Sequence, residues 1–151
     1  METYSKKRIT ELITQGKKVI NTSDVENVLS ILSEKGYDYN LEQKNFLSKY
    51  LGFTITFDSP RAKGYTETFT VDPVQTAINI DKDMVDEYEN YTNSKFLTLG
   101  EIPEEEMVVF LNDHDVIYGC NEEYLINFGN SLEEFLFNVM NGIQMTLEEI
   151  E

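Results

Sequence analysis

The chain is poor in the residue types that most enzymes use for covalent chemistry. Of its 151 residues one is cysteine, one is histidine and none is tryptophan. The single thiol, Cys120, excludes an internal disulfide and fits a reducing compartment. One cysteine and one histidine fall short of a structural zinc ligand set. Any Ser-His-Asp or Cys-His arrangement has to use His114, which lies in Asn112-Asp113-His114-Asp115. That segment is a predicted hairpin tip, a poor place to hold a general base. Cys120 has no cationic sequence neighbour to lower its pKa and reads as a small buried apolar group. No GxGxxG, GKS or GKT loop is present to cradle a phosphate. No apolar run is long enough to span a bilayer, and the basic stretch Met1–Ile20 lacks the apolar core of a secretory signal. A cytoplasmic location is the expectation.

Positive charge is scarce as well. Twelve Lys and Arg stand against 28 Asp and Glu, a net charge of -16. The imbalance is uneven. Residues 1–50 hold eight basic and seven acidic residues, and residues 51–151 hold four and 21. A surface so acidic repels nucleic acid and anionic membranes and attracts basic partners. Its plainer reading is a solubilising surface. Lys6-Lys7-Arg8 with Lys17-Lys18 reads as one solvated helix end, without the interleaved aromatics of an RNA groove. Asp81, Asp83, Asp86, Glu87 and Glu89 cluster, but calcium coordination of the EF-hand kind fails. The sixth residue from Asp81 is Asp86 where glycine is needed, and the twelfth is Thr92 where glutamate is needed. With so many acids, no particular carboxylate pair points to glycoside hydrolysis. No metal, cofactor or catalytic residue is expected.

What is present suits one domain with a real core. Apolar residues make up 40%, including nine Tyr and nine Phe. Helical spacing predicts a helix over about Tyr4–Gln15, with Ile9, Leu12 and Ile13 on one face and Gly16 at its end. Thr22-Ser23-Asp24 opens a second, where Ser23 and Glu26 match a capping box and Val25, Val28, Leu29 and Leu32 form the stripe. A third runs from Asn40, with Leu41, Phe46, Leu47 and Tyr50 as its apolar positions. The period then changes to two. Phe53, Ile55 and Phe57 alternate with threonines, and Thr66–Val71 repeats the pattern across the loop Asp58–Gly64, which predicts a hairpin. Asp72-Pro73 starts a short helix, and Asp81 or Asp83 starts an acidic one built on Met84, Val85, Tyr88 and Tyr91. Four short strands follow, near 96–99, 107–111, 116–119 and 124–128. Ser131 and Glu134 then cap a last helix that buries Leu132, Phe135, Leu136 and Val139. The tail, 146–151, is expected to fray. The elements make a single α+β domain over 1–151: a mainly antiparallel sheet with N-terminal helices and a C-terminal helix packed on it.

With those motifs placed, the chain resembles the SUKH superfamily, and within it the third subgroup of bacterial immunity proteins. Phe46–Phe53 is similar to that group's helix entering its first strand. Thr68–Pro73 is similar to its strand ending in Asp-Pro. Leu97-Thr98-Leu99-Gly100-Glu101 is similar to its PxGE element, and Gly129–Phe135 to its GDSFEEAL helix start. The likeness covers about 45–143. Thr98 stands where proline is usual, Leu51 where glycine is, and Asn130 where aspartate is. The first forty residues match only in being helical. The chain is also similar to the Bacillus antitoxin type encoded beside LXG polymorphic toxins (YxxD-like).

That resemblance implies an immunity protein that binds and neutralises a cognate protein toxin, often a nuclease, without catalysis of its own. The acidic charge fits a partner that is basic where it grips phosphate. Candidate contacts are the acids on predicted loops and turns: Glu104, Glu105, Glu106, Asp113, Asp115, Glu122 and Glu123. For each, ordinary solvated charge is the alternative reading. A buried aromatic anchor carries more binding energy than a rim carboxylate, and Tyr118 or Tyr124 is placed to serve as anchor or as core. The competing readings are a regulatory or scaffold module of the same fold that binds another protein, and a small hydrolase or metal-dependent enzyme.

Overall fold

A computed structural model describes residues 4–16, 22–122, 124–143 and 145–149. Among them lie six α-helices and one seven-stranded sheet. Three helices come first: α1 (Lys6–Gly16), α2 (Thr22–Glu34) and α3 (Leu41–Tyr50). Then follow β1 (Thr54–Asp58), β2 (Thr66–Val71), α4 (Pro73–Asn79) and α5 (Lys82–Thr92). The remainder is β3 (Phe96–Ile102), a 3₁₀ turn (Pro103–Glu105), β4 (Met107–Asn112), β5 (Ile117–Asn121), β6 (Tyr124–Asn127), α6 (Leu132–Met140) and β7 (Glu148–Glu149). The strands pair in chain order and every pairing is antiparallel. Short turns join most neighbours, which is the connection an antiparallel meander needs.

The local signals act as their chemistry requires. Asn40 caps α3 by accepting from the Gln43 N–H, and the Gln43 side chain accepts from the Asn40 N–H. Asp72 caps α4 with Pro73 at its first position, Asp81 caps α5, and Ser131 caps α6 by accepting from the Glu134 N–H. The reciprocal arm at α6 is shifted by one residue: Glu134 accepts from the Asn130 N–H. The Ser23 capping position predicted for α2 has a side chain outside the described residues, as does the Lys17-Lys18 patch.

Both faces of the middle strands are covered. On one face Tyr88 of α5 stacks on Phe96 and meets Phe110 edge-on, while Thr98 donates its hydroxyl to the Pro73 carbonyl at 2.8 Å. On the other, Phe135 of α6 packs against Phe69 and Phe128. The first five residues of β3 are accordingly all buried. At β1 and β2 only one face is covered. Ile55, Phe57, Phe69 and Val71 are buried, and the opposite face carries the cross-strand hydroxyl pairs Thr54–Thr70 and Thr56–Thr68. The start of α1 is tied to the end of α6, because Asn141 accepts from the Tyr4 N–H and donates to its carbonyl.

Three expectations change. Leu41 is 65% exposed, because α3 turns Gln43 inward instead, fully buried with its amide donating to the Leu111 carbonyl. Residues two apart on a helix point about 200° apart, so Leu41 faces solvent. Tyr91 is likewise exposed at 47%. Where a frayed tail is expected, Glu148–Glu149 pair with Tyr124 and Leu125 along the outer edge of β6, an edge that otherwise leaves backbone groups without partners.

Candidate functional site

The antiparallel register sorts the predicted contact residues onto two ends of the sheet. Val108 of β4 pairs with Cys120 of β5, so the turn before β4 lies beside the turn after β5. Glu104, Glu105 and Glu106 therefore share one end with Glu122. Asp113 and Asp115, in the β4–β5 turn, sit at the opposite end, where the Asn40 amide donates to the Asp113 carbonyl. Glu123 lies outside the described residues. Tyr118 stacks on Phe96 with ring centroids 5.2 Å apart, which makes it part of the packed face beneath α5. Tyr124 is 39% exposed.

The first end is acidic for reasons beyond those candidates. Asp81 arrives there as the cap of α5, and Glu101 is held there by a hydrogen bond from the Asn79 amide. Asp81, Glu106 and Glu122 line one cleft of about 340 Å³ whose walls include Met84, Tyr88 and Val108. Tyr88 donates to the Glu122 carbonyl at 2.9 Å, and its hydroxyl pKa is raised by burial first, then by the charges of Cys120, Glu122 and Glu87. Glu106 and Glu122 both have positive φ, 52° and 28°, so each backbone turns sharply at the rim of this cleft. Neither side chain has a hydrogen-bonding or ionic partner among the described residues.

Glu104 and Glu105 have structural duties. Strand β2 pairs with β3 only through Thr70 and Val71. Beyond that point the Glu104 carboxylate takes the place of a strand and accepts from the Thr68 N–H at 3.0 Å. Glu105 pairs with Arg61 of the β1–β2 loop at 2.5 Å. The same loop holds a group that the charge pattern does not reveal. Glu67 is 4% exposed, and one of its oxygens accepts from the Ser59 hydroxyl at 2.7 Å. Its carboxyl is pushed up to about 7, by burial above all and by Glu105, while Ser59 and Arg61 pull the other way. The signal for it is the period of two: Glu67, Phe69 and Val71 fall on one face of β2, and that face is the core.

The groups with catalytic potential do not meet. The His114 side chain is 74% exposed at the far turn. Cys120 is buried, which drives its thiol pKa well up and away from the nucleophilic thiolate. Among the described residues no three His, Cys, Asp or Glu side chains are grouped to hold a metal ion, and no helix is long and apolar enough to cross a membrane.

A family model for the SUKH-3 immunity protein matches residues 14–142. The chain belongs to the SUKH-3 immunity protein family. No curated protein and no solved structure gives a significant match. Within this SUKH-3 chain two of the family-like elements build the acidic end, while Phe46–Phe53 and Gly129–Phe135 lie at the other end beside Asp115. The Leu97–Glu101 element supplies β3 and Glu101, and Asp72-Pro73 starts the α4 that holds Glu101 in place. Membership carries an immunity role and the binding of a cognate toxin.

Proposed function

We propose that this SUKH-3 protein neutralises its toxin by docking the acidic end of its sheet onto a basic surface, with no turnover of its own. The toxin is of the polymorphic LXG type and its toxic domain is a nuclease, positively charged where it binds phosphate. The encounter takes place in the cytosol. The observation that carries this reading is the cleft shared by Asp81, Glu106 and Glu122. Glu106 and Glu122 stand on turns of the sheet and Asp81 on the cap of α5, all joined to strands whose middle is buried, so negative potential is presented from a fixed frame. Preorganised charge of this kind speeds association and selects the partner.

The test is co-expression with the toxin candidate from the neighbouring gene, scored for growth. The wild-type chain restores growth, and a Glu106→Lys/Glu122→Lys double variant that folds normally restores it less. Full rescue by that variant would place the toxin contact elsewhere.

A further inference from the structure

Beside the cleft, at the same end of the sheet, lies a second pocket of about 270 Å³, enclosed by the β1–β2 loop and the 3₁₀ turn. Ser59, Arg61 and Tyr65 line it from the loop, Glu67 from β2, and Glu104 and Glu105 from the turn. Three carboxylates thus face one guanidinium. Among the described residues Arg61 pairs directly with Glu105, from a side chain that is 60% exposed, and acts on Glu67 without touching it. Glu104 is engaged by the Thr68 N–H. The Oε1 atom of Glu67 is buried with no N–H or hydroxyl donor among the described residues, and the neighbouring Glu105 carboxyl is the one group placed to share a proton with this side chain. A buried acceptor without a donor is unfavourable, and a buried carboxylate beside a second carboxylate more so. Apart from Arg61, no positively charged side chain among the described residues lines the pocket, so a proton does the work there that a second cation could do.

We propose that this pocket is a socket for an arginine side chain of the protein partner, whose guanidinium bridges Glu67 and Glu105. A metal ion is the poorer occupant, since no three ligand side chains are grouped here among the described residues. Guanidinium is favoured over ammonium because it is planar, offers several donors in one fork and sheds water more readily. Arg61 already shows that a guanidinium fits the Glu105 carboxylate. Tyr65, 72% exposed at the rim, offers a ring face on which an arginine can stack. The groups facing Glu67 are Ser59, Arg61, Tyr65, Glu104 and Glu105, and arginine entry replaces the proton that burial otherwise retains on the carboxyl. Binding therefore strengthens as pH rises through neutrality. The identity of the partner rests on the proposed toxin role, but the chemistry of the socket does not.

The experiment is a titration of the full-length, ¹⁵N-labelled chain with N-acetyl-L-arginine amide at pH 8, using N-acetyl-L-citrulline amide as the neutral control. Saturable amide shifts at residues 59–67 and 104–105 are expected with the arginine probe alone. They weaken about tenfold between pH 8 and pH 6 and vanish in Glu67→Gln. Should Glu67→Gln lose its dispersed spectrum, Glu105→Gln supplies the same comparison. Equal response to citrulline, or shifts unchanged in either folded variant, or no saturable shift, would overturn the socket. Failure of growth rescue with the neighbouring toxin removes the toxin role and leaves this titration intact, so the two failures are distinguishable.

Discussion

The Ser59 hydroxyl donates to Glu67 Oε2 at 2.7 Å and closes the β1–β2 loop over a carboxyl that is 4% exposed. The native carboxyl titrates near 7, above the usual unfolded value of about 4.3. The native state therefore holds a proton that the unfolded state has lost across that window. Its contribution to stability is full below about pH 4.5 and is lost as pH rises through 7. Comparing urea midpoints at pH 5 and pH 8, wild type should lose more stability than Glu67→Gln. Parallel losses in the two proteins would show that Glu67 does not titrate in this range.

Gly100 lies opposite Val71 where β3 pairs with β2. A Cβ there would collide with the Thr70 carbonyl oxygen and press on the Phe69 ring. Backbone cannot retreat as a flexible side chain can. Gly100→Ala is expected to destabilise by about 1–3 kcal/mol, read as a lowered Tm. An unchanged Tm would mean that the two strands separate freely at this point.

Leu136 is fully buried on α6. Leu136→Ala leaves a cavity in the core and should cost roughly 2–5 kcal/mol. Chemical denaturation measures it, and equal midpoints would contradict the packing of α6.

Glu106→Lys and Glu122→Lys change charge at the cleft without removing a described side-chain partner. Surface substitutions of this kind usually shift stability by less than about 0.5 kcal/mol. Toxin association should slow in the double variant while Tm holds. For wild type the association rate should fall between about 50 and 500 mM salt, where the screening length shrinks severalfold. A rate independent of salt would exclude electrostatic steering.

Tyr37 is buried, and its hydroxyl has no hydrogen-bond partner among the described residues. Burial pushes its pKa up to about 12, with Glu89 and Asp86 adding to the effect. Removing an unsatisfied hydroxyl should be neutral or stabilising. Tyr37→Phe is expected to keep or raise the Tm, and a clear fall would reveal a water bound to the hydroxyl.

Much of the fold was legible because its signals are local. Asp72-Pro73 and Ser131 act as caps through their own side chains and the next turn of backbone. Leu132, Phe135, Leu136 and Val139 recur at helical spacing and are buried in α6. Leu41 misled because hydrophobicity alone favours it over Gln43, whereas a hydrogen bond to the Leu111 carbonyl makes the buried amide acceptable. Glu67 escaped notice because abundant acids conceal the one acid that the core face of a strand takes inside.

By itself the sequence determined most of the element types, the acidic excess of the last hundred residues, and the scarcity of cysteine and histidine. Those follow from periodicity, capping and composition, each settled within a few neighbouring residues. Only the tertiary structure decided which acids stand together. Strand register separates Asp113 and Asp115 from Glu106 and Glu122, brings Asp81 across from α5, and buries Glu67 beside Glu105. Charge can be counted along a chain, but potential and proton affinity depend on distance and on exclusion of water, which chain order does not encode.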